Sequence, residues 1–368
     1  MPAARNHALD GLRGLAALGV LTLHVWMFTE QRVHDRAELL SGVAGELRQG
    51  VVLFFVLSGF LLAGPWVASA LDGRRPPRLA AFARRRLARI GPAYWVAMFG
   101  SFALLAGSGH HYEVGAGQLP IFAVFAQNYV PSTHGRLDPP MWSLVVEVSF
   151  YAALPLLGWM LVRAGRRGRM VAACAALIAV GLAWTALGHA LAWPRTVMTS
   201  LPTYLPVFAC GIAAAALAHG RSPGRRTCLA LALGGAVLIV ADGWWHHGGH
   251  TGALGQIVRD LPAAAGFAAI VAAIAARPPA LLSCAPLRGL GTISYALYLW
   301  HVPVIVWLRF QHALPGDDFL GGVARVTILT AAIAWASWVL VERPIIERAA
   351  RRRRRAAGRR AQPAPSAA

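Results

Sequence analysis

Lysine is missing from this chain altogether, and carboxylates are few: 15 Asp and Glu stand against 35 basic residues, all arginine, for a net charge of +20. Only 14% of the 368 residues are charged, where a soluble domain carries about a quarter. That scarcity excludes an ordinary soluble surface. The missing lysine itself reads as genomic base composition. Cysteine is also sparse: Cys174, Cys210, Cys228 and Cys284 lie far apart with no CxxC spacing, which argues against a thiolate metal finger or a disulfide framework. Three of them fall in or beside apolar runs and read as small core residues. No A-x-A-like cleavage site follows the first apolar run, so that run is expected to stay as a membrane span rather than leave as a signal peptide. The basic excess does not point to nucleic acid, because the arginines sit between apolar runs without aromatic interleaving or an RNA-binding motif.

Apolar residues are plentiful, at 57%, and mean hydropathy is +0.52. Windows of about 20 apolar residues fall near 12–29, 50–71, 91–107, 141–162, 170–192, 199–219, 227–243, 259–276, 290–309 and 320–341. The expected fold is therefore all-α, a polytopic bundle of about ten transmembrane helices in the cell membrane. With both termini cytoplasmic, most of the 35 arginines fall inside, as the positive-inside rule requires. Glu30, Asp35, Glu38, Glu46, Asp317 and Asp318 then lie outside. Residues 1–344 form the membrane domain, and 345–368, "RAARRRRRAAGRRAQPAPSAA" with its preceding turn, read as a disordered basic tail contacting anionic headgroups.

Ionisable residues inside such spans are costly, at roughly 2.5 to 3.5 kcal/mol each at the bilayer centre on insertion scales. "LDGLRGLAALGVLTLHVWMF" (9–28) holds Arg13 and His24, eleven residues and about three turns apart on one face, with Asp10 close to that stripe. The fourth run, "MWSLVVEVSFYAALPLL", aligns Ser143, Glu147 and Tyr151 at helical spacing. Glu147 and His24 lie at similar depths below the outer helix ends by helix rise, about 9 and 6 Å. That depth match suggests a base and its orienting partner. Arg86 and Arg89 share a face at the inner mouth of the third run and suit phosphates. Ser58, beside Gly59, reads either as a helix-packing residue or as a substrate contact. Tyr94, Trp142 and Tyr298 read as interface or core aromatics. His246, His247 and His250 have metal-like spacing but no nearby acidic or thiol ligand, so no metal site is expected there.

"LDGLRGLAALGVLTLH", "VVLFFVLSGFLL", "FARRRLARIGPAYW", "MWSLVVEVSFY", "ISYALYLWHVP" and "VERP" together resemble the successive signatures of the acyltransferase-3 family of integral membrane acyltransferases. The resemblance implies transfer of an acyl group, commonly acetyl, from cytoplasmic acyl-CoA to a hydroxyl, with no permanently bound cofactor. It implies His24 as the essential histidine, Arg13 as the first-span arginine, Arg86 and Arg89 as the donor-binding RxxR pair and Glu147 as the fourth-span glutamate. His301, in "YLWHVP", is placed in the substrate cavity with Asp10, Ser58, Ser143 and Tyr151. Val148 and Ser149 depart from the polar pair the family often has after its glutamate. Some members carry an added extracytoplasmic hydrolase-like domain, and the chain is expected to act without one.

The expected acceptor is a hydroxylated sugar, on a surface glycan or glycolipid or on a secreted metabolite such as a macrolide. His24 either removes the acceptor proton or takes the acyl group itself. A transporter or flippase would use intramembrane ionisable groups too, but no repeat relates the two halves. A non-catalytic scaffold, in which Arg13, His24 and Glu147 only pair helices, is the third class. Reporter fusions in loops 109–139 and 243–258 are expected to read extracytoplasmic, and a cytoplasmic signal at either would contradict this topology.

Overall fold

The computed structural model describes residues 6–29, 38–247, 252–314 and 316–351. Glu30, Asp35, His250 and residues 352–368 of the tail therefore lie outside the described residues. Ten long helices follow the ten apolar runs: α1 His7–Met27, α2 Gln49–Asp72, α3 Leu79–Leu105, α4 Trp142–Ala164, α5 Arg167–Ala190, α6 Leu201–Ala218, α7 Arg225–His247, α8 Leu261–Ala276, α9 Ala285–Phe310 and α10 Phe319–Ser337. Among the described residues, nine spans are long and apolar enough to cross a membrane. The exception is α3, whose first half carries Arg84, Arg85, Arg86 and Arg89. Its apolar part from Ile90 to Leu105 spans only about 24 Å at helical rise. The protein is a multi-pass helical membrane protein.

Local sequence sets the helix ends. The Asn6 side chain accepts from the amides of Ala8 (3.1 Å) and Leu9 (3.4 Å), supplying orphan donors at the start of α1 with a partner. Asp318 does the same for Gly321 at α10 (2.9 Å). After Ser337, α10 widens into a π-helical turn, Trp338–Glu342. The helix then continues to Arg351, with Glu347 accepting from Arg343 (2.9 Å) and Arg351 (3.3 Å) at i, i+4 spacing. The first residues of the predicted disordered tail, 345–351, are thus helical, because these pairs and the register of α10 carry the helix past the apolar run.

The helices pack in two groups around α1 and α2. Helix α1 lies on α9 and α2; α2 lies on α6 and α4; α6 contacts α5 and α8; α7 packs on α8, and α10 on α9. Close approach at glycines sets two of these contacts. A side chain at Gly291 would meet the Asp10 carbonyl of α1 at 2.0 Å, and one at Gly14 would meet Gly291 N at 2.9 Å. A side chain at Gly211 of α6 would lie 2.1 Å from the Val56 carbonyl of α2, and one at Gly59 would lie 2.3 Å from the Phe208 carbonyl. Small residues at such crossings let helix backbones touch inside a membrane. Phe208 then stacks on Phe55 (4.7 Å between centroids) and Phe150 (4.1 Å), joining α2, α4 and α6. Cys174, Cys210 and Cys228 are buried and unpaired, while Cys284 is half-buried.

Because the atoms facing Gly211 are backbone, they cannot turn aside as a side chain would. Gly211→Val is therefore expected to cost about 1–3 kcal/mol of stability, read as a lower thermal midpoint of the purified protein in detergent. An unchanged midpoint would contradict this packing.

Candidate active site

Five helices, α1, α2, α3, α4 and α9, enclose a cavity of about 290 Å³. Its lining includes Asp10 and Arg13 from α1, Ser58 from α2, Arg86 and Arg89 from α3, and Ser143, Glu147 and Tyr151 from α4. The structure thus gathers every predicted site residue there except His24 and His301. Oε1 of Glu147 accepts from both Ser58 Oγ and Tyr151 OH, each at 2.6 Å. Ser58 is therefore a carboxylate ligand as well as a neighbour of the packing residue Gly59. The Arg86 guanidinium lies 5.9 Å from the Tyr151 ring centroid, within cation–π range. Arg13 lies within electrostatic reach of Arg89, Glu147 and Asp10.

Charge in the cavity is unbalanced. Three guanidiniums face two carboxylates, and one of these, Asp10, lies 3.5 Å from His7. Among the described residues, Nε of Arg13 and Nε of Arg86 are buried with no hydrogen-bond partner. Buried donors without acceptors are rare in native structures, and planar arginine forks suit phosphate oxygens. The cavity is chemically an anion site that the protein's own carboxylates do not fill. It is too small for a whole nucleotide thioester but large enough for a phosphate group or a short acyl arm.

His24 lies elsewhere. It pairs with His301 on α9: His301 Nε2 is 3.2 Å from His24 Nδ1, and the rings meet edge to face with centroids 4.8 Å apart. Their tautomers follow from their carbonyl partners. His301 Nδ1 lies 2.6 Å from the Tyr298 carbonyl and His24 Nδ1 lies 2.8 Å from the Val20 carbonyl. A carbonyl oxygen can only accept, so each Nδ1 carries the proton and each Nε2 the lone pair. His301 Nε2 then receives a second share of the His24 Nδ1 proton. His24 Nε2 takes no hydrogen bond among the described residues and is left as a free base.

The expected His24–Glu147 pair does not form. Similar depth was the reason for expecting it, but α4 brings Glu147 to the level of Arg13 across the cavity, and Arg13 precedes His24 by eleven residues, about 16 Å of helix rise. His301, likewise, is not in the arginine cavity; it is 1% exposed beneath His24. Tyr298 connects the two places. Its ring lines the cavity and lies 5.6 Å from the His301 ring. Its hydroxyl reaches Ser143 Oγ (2.7 Å), one turn from Glu147, and donates to the Pro140 carbonyl (3.0 Å). Reading Tyr298 as a plain core aromatic missed this position. Glu342 was also missed: it ends the π turn, is 4% exposed, and lies close enough to Arg89 to interact electrostatically. The visible signal was its place in "VERP", and π turns are enriched at functional sites. No group of three potential metal ligands gathers among the described residues.

A family profile described as an acyltransferase domain matches residues 6–342. The chain belongs to the acyltransferase-3 family. Among its relatives is the O-acetyltransferase OatA of Staphylococcus aureus, 26% identical over 370 residues covering 92% of this chain and 56% of that protein. Nodulation protein 10 of Rhizobium leguminosarum bv. viciae is 28% identical, covering 93% of this chain and 94% of its own length. The putative peptidoglycan O-acetyltransferase YrhL of Bacillus subtilis is 45% identical over 65 residues, 18% of this chain. The chain thus spans little more than half the length of OatA. No solved structure matches it.

Within this acyltransferase-3 domain, the segment between α3 and α4 carries a second polar group beside Tyr298. Tyr94 donates to the Phe122 carbonyl (2.9 Å) and accepts from Gln127 (3.1 Å), while Asn128 donates to the carbonyls of Trp142 and Thr199. Asp138 is 1% exposed, and both its oxygens are buried without a partner. Burial alone pushes this carboxyl well above the usual carboxylate range. A carboxyl whose folded-state value exceeds its unfolded value of about 3.9 stabilises the fold when protonated. Stability is therefore lost as pH rises from about 4 toward the raised value. Asp138→Asn is expected to abolish this dependence and raise the thermal midpoint at neutral pH. Identical pH–stability curves for the two proteins would contradict it.

Proposed function

We propose that the chain is a membrane O-acyltransferase that moves an acyl group, most simply acetyl, from acyl-CoA to a hydroxyl of a sugar-bearing acceptor. The observation that carries this reading is the pairing of two unlike places: a cavity with three under-neutralised guanidiniums, and a histidine whose Nε2 is free, joined through Tyr298. Membership of the acyltransferase-3 family and the names of its O-acetyltransferase relatives support the reaction class.

The donor's phosphates bind Arg86, Arg89 and Arg13, entering from the cytoplasmic side where the arginine-rich end of α3 is expected. Glu147, held by Ser58 and Tyr151, supplies the counter-charge that fixes the arginine forks, and does not act on the histidine. His24 Nε2 accepts the proton of the acceptor hydroxyl as its oxygen attacks the thioester carbonyl. The C–S bond then breaks, and the same proton passes to the CoA thiolate. His301 stabilises the transient imidazolium by accepting from Nδ1 through its Nε2 lone pair, a part more often given to a carboxylate. The acceptor approaches His24 from the outer half of the bilayer, as a glycan, a glycolipid or a glycosylated metabolite.

Phosphate contacts act alike on ground and transition states, so Arg86→Ala and Arg89→Ala are expected chiefly to raise the KM for acetyl-CoA. Lysine should rescue only partly, being a point charge in place of a fork. An unchanged acetyl-CoA dependence in both variants would move the donor site elsewhere. In the same assay, turnover with sugar-free alcohols equal to that with glycans would overturn the acceptor class.

A further inference from the structure

A second cavity, of about 710 Å³, lies away from the arginine cavity, between α6, α7 and α8. Its origin is in the helix contacts. Helix α7 packs chiefly on α8, drawn in at Gly235 and Gly266, where an added side chain would meet the opposite glycine's carbonyl at 2.5 and 2.4 Å. That contact leaves α7 standing off α6. The facing surfaces are alanine-rich: Ala265, Ala269, Ala272 and Ala276 fall on one face of α8, and Ala213 and Leu217 line α6 opposite. Methyl groups cannot close such a gap, and an apolar groove of this size does not stay empty in a bilayer.

One end of the groove is polar and basic. Arg221, Ser222 and Thr227 line its mouth, and Arg225 and Arg226 open α7, whose first turn holds no acid. Helix N-termini and arginine forks both favour phosphate. Arg277 ties the end of α8 to this loop by donating to the Pro223 carbonyl (3.2 Å), and Arg167 ties in α5 by donating to the Ala216 carbonyl (3.2 Å). No Asp or Glu occurs between Glu147 and Asp242. The carboxylate that reaches this end, Asp72, is held by His219 (2.8 Å) and Arg74 (3.1 Å). Among the described residues, Arg221, Arg225 and Arg226 form no ion pair.

We propose that this groove is a binding site for one anionic diacyl phospholipid, with an acyl chain along the alanine faces of α6 and α8 and the headgroup phosphate on Arg221, Arg225 and Arg226. The occupant is a membrane lipid rather than a free phosphate, because the apolar volume and the basic mouth are continuous. The lipid wedges α7 against the bundle where protein side chains do not.

The test uses the full chain purified in mild detergent, with phosphatidylglycerol as probe. Wild type is expected to retain about one equivalent through purification, by lipid extraction and mass spectrometry, and to gain thermal stability when phosphatidylglycerol is added back to delipidated protein. The triple variant Arg221→Gln/Arg225→Gln/Arg226→Gln should lose affinity on the order of a hundredfold. Ala269→Leu/Ala272→Leu, which fills the groove without touching the charges or the topology signal, should lose retention while staying folded and monodisperse. Equal stabilisation by phosphatidylcholine or by inorganic phosphate would overturn the proposal, as would undiminished phosphatidylglycerol retention in the groove-filled variant.

Discussion

Three guanidiniums share one cavity inside the bundle with too few carboxylates to neutralise them, and most of the surrounding architecture answers that constraint. Buried donors without acceptors are rare in native structures, so leaving Arg13 and Arg86 with unpartnered Nε groups is a cost the fold retains. Glu147 offsets part of it and is itself fixed by Ser58 and Tyr151. Glu342 adds a carboxylate near Arg89 from the far side. The glycine crossing at Gly14 and Gly291 brings α1 close enough to α9 that Arg13 and Tyr298 line one space.

The same α1–α9 contact sets the second place. His24 and His301 face each other because the backbones touch at those glycines, and two carbonyls then impose both tautomers. A base needs a free lone pair and a neighbour that tolerates its charged form; His24 has both without any carboxylate. Separating the arginine cavity from the histidine pair also keeps His24 away from guanidiniums that would disfavour its protonation. Tyr298 touches both places.

Much of this was legible in the sequence, and the failures have physical reasons. Each of the ten apolar runs corresponds to a helix, because run length and hydrophobicity are local properties, although α3 begins twelve residues before its run, at Leu79. Arg13, Glu147, Ser58, Ser143, Tyr151 and Asp10 share a cavity because each is a polar residue on an otherwise apolar helix, and Arg86 and Arg89 join them from the basic end of α3. Pairing was another matter. Position along one helix can be counted from sequence, whereas how two helices are offset against each other depends on crossings such as Gly59 with Gly211, which carry no directional signal. His24 was therefore matched to Glu147 when its neighbour is His301. Asp138 escaped notice because it sits just before a helix, and Glu342 because it falls at the end of the last apolar run, two places where an acid ordinarily means solvent.

Acyl transfer that depends on His24 is tested most directly by incubating the purified protein with acetyl-CoA and a glycan acceptor and measuring free CoA. Wild type should release CoA in step with acetylated acceptor. His24→Ala should release none above background while retaining the wild-type elution profile and thermal midpoint. CoA release by His24→Ala at a rate near wild type would contradict the assignment of the base. Its absence from wild type as well, across sugar-bearing acceptors, would contradict acyl transfer itself.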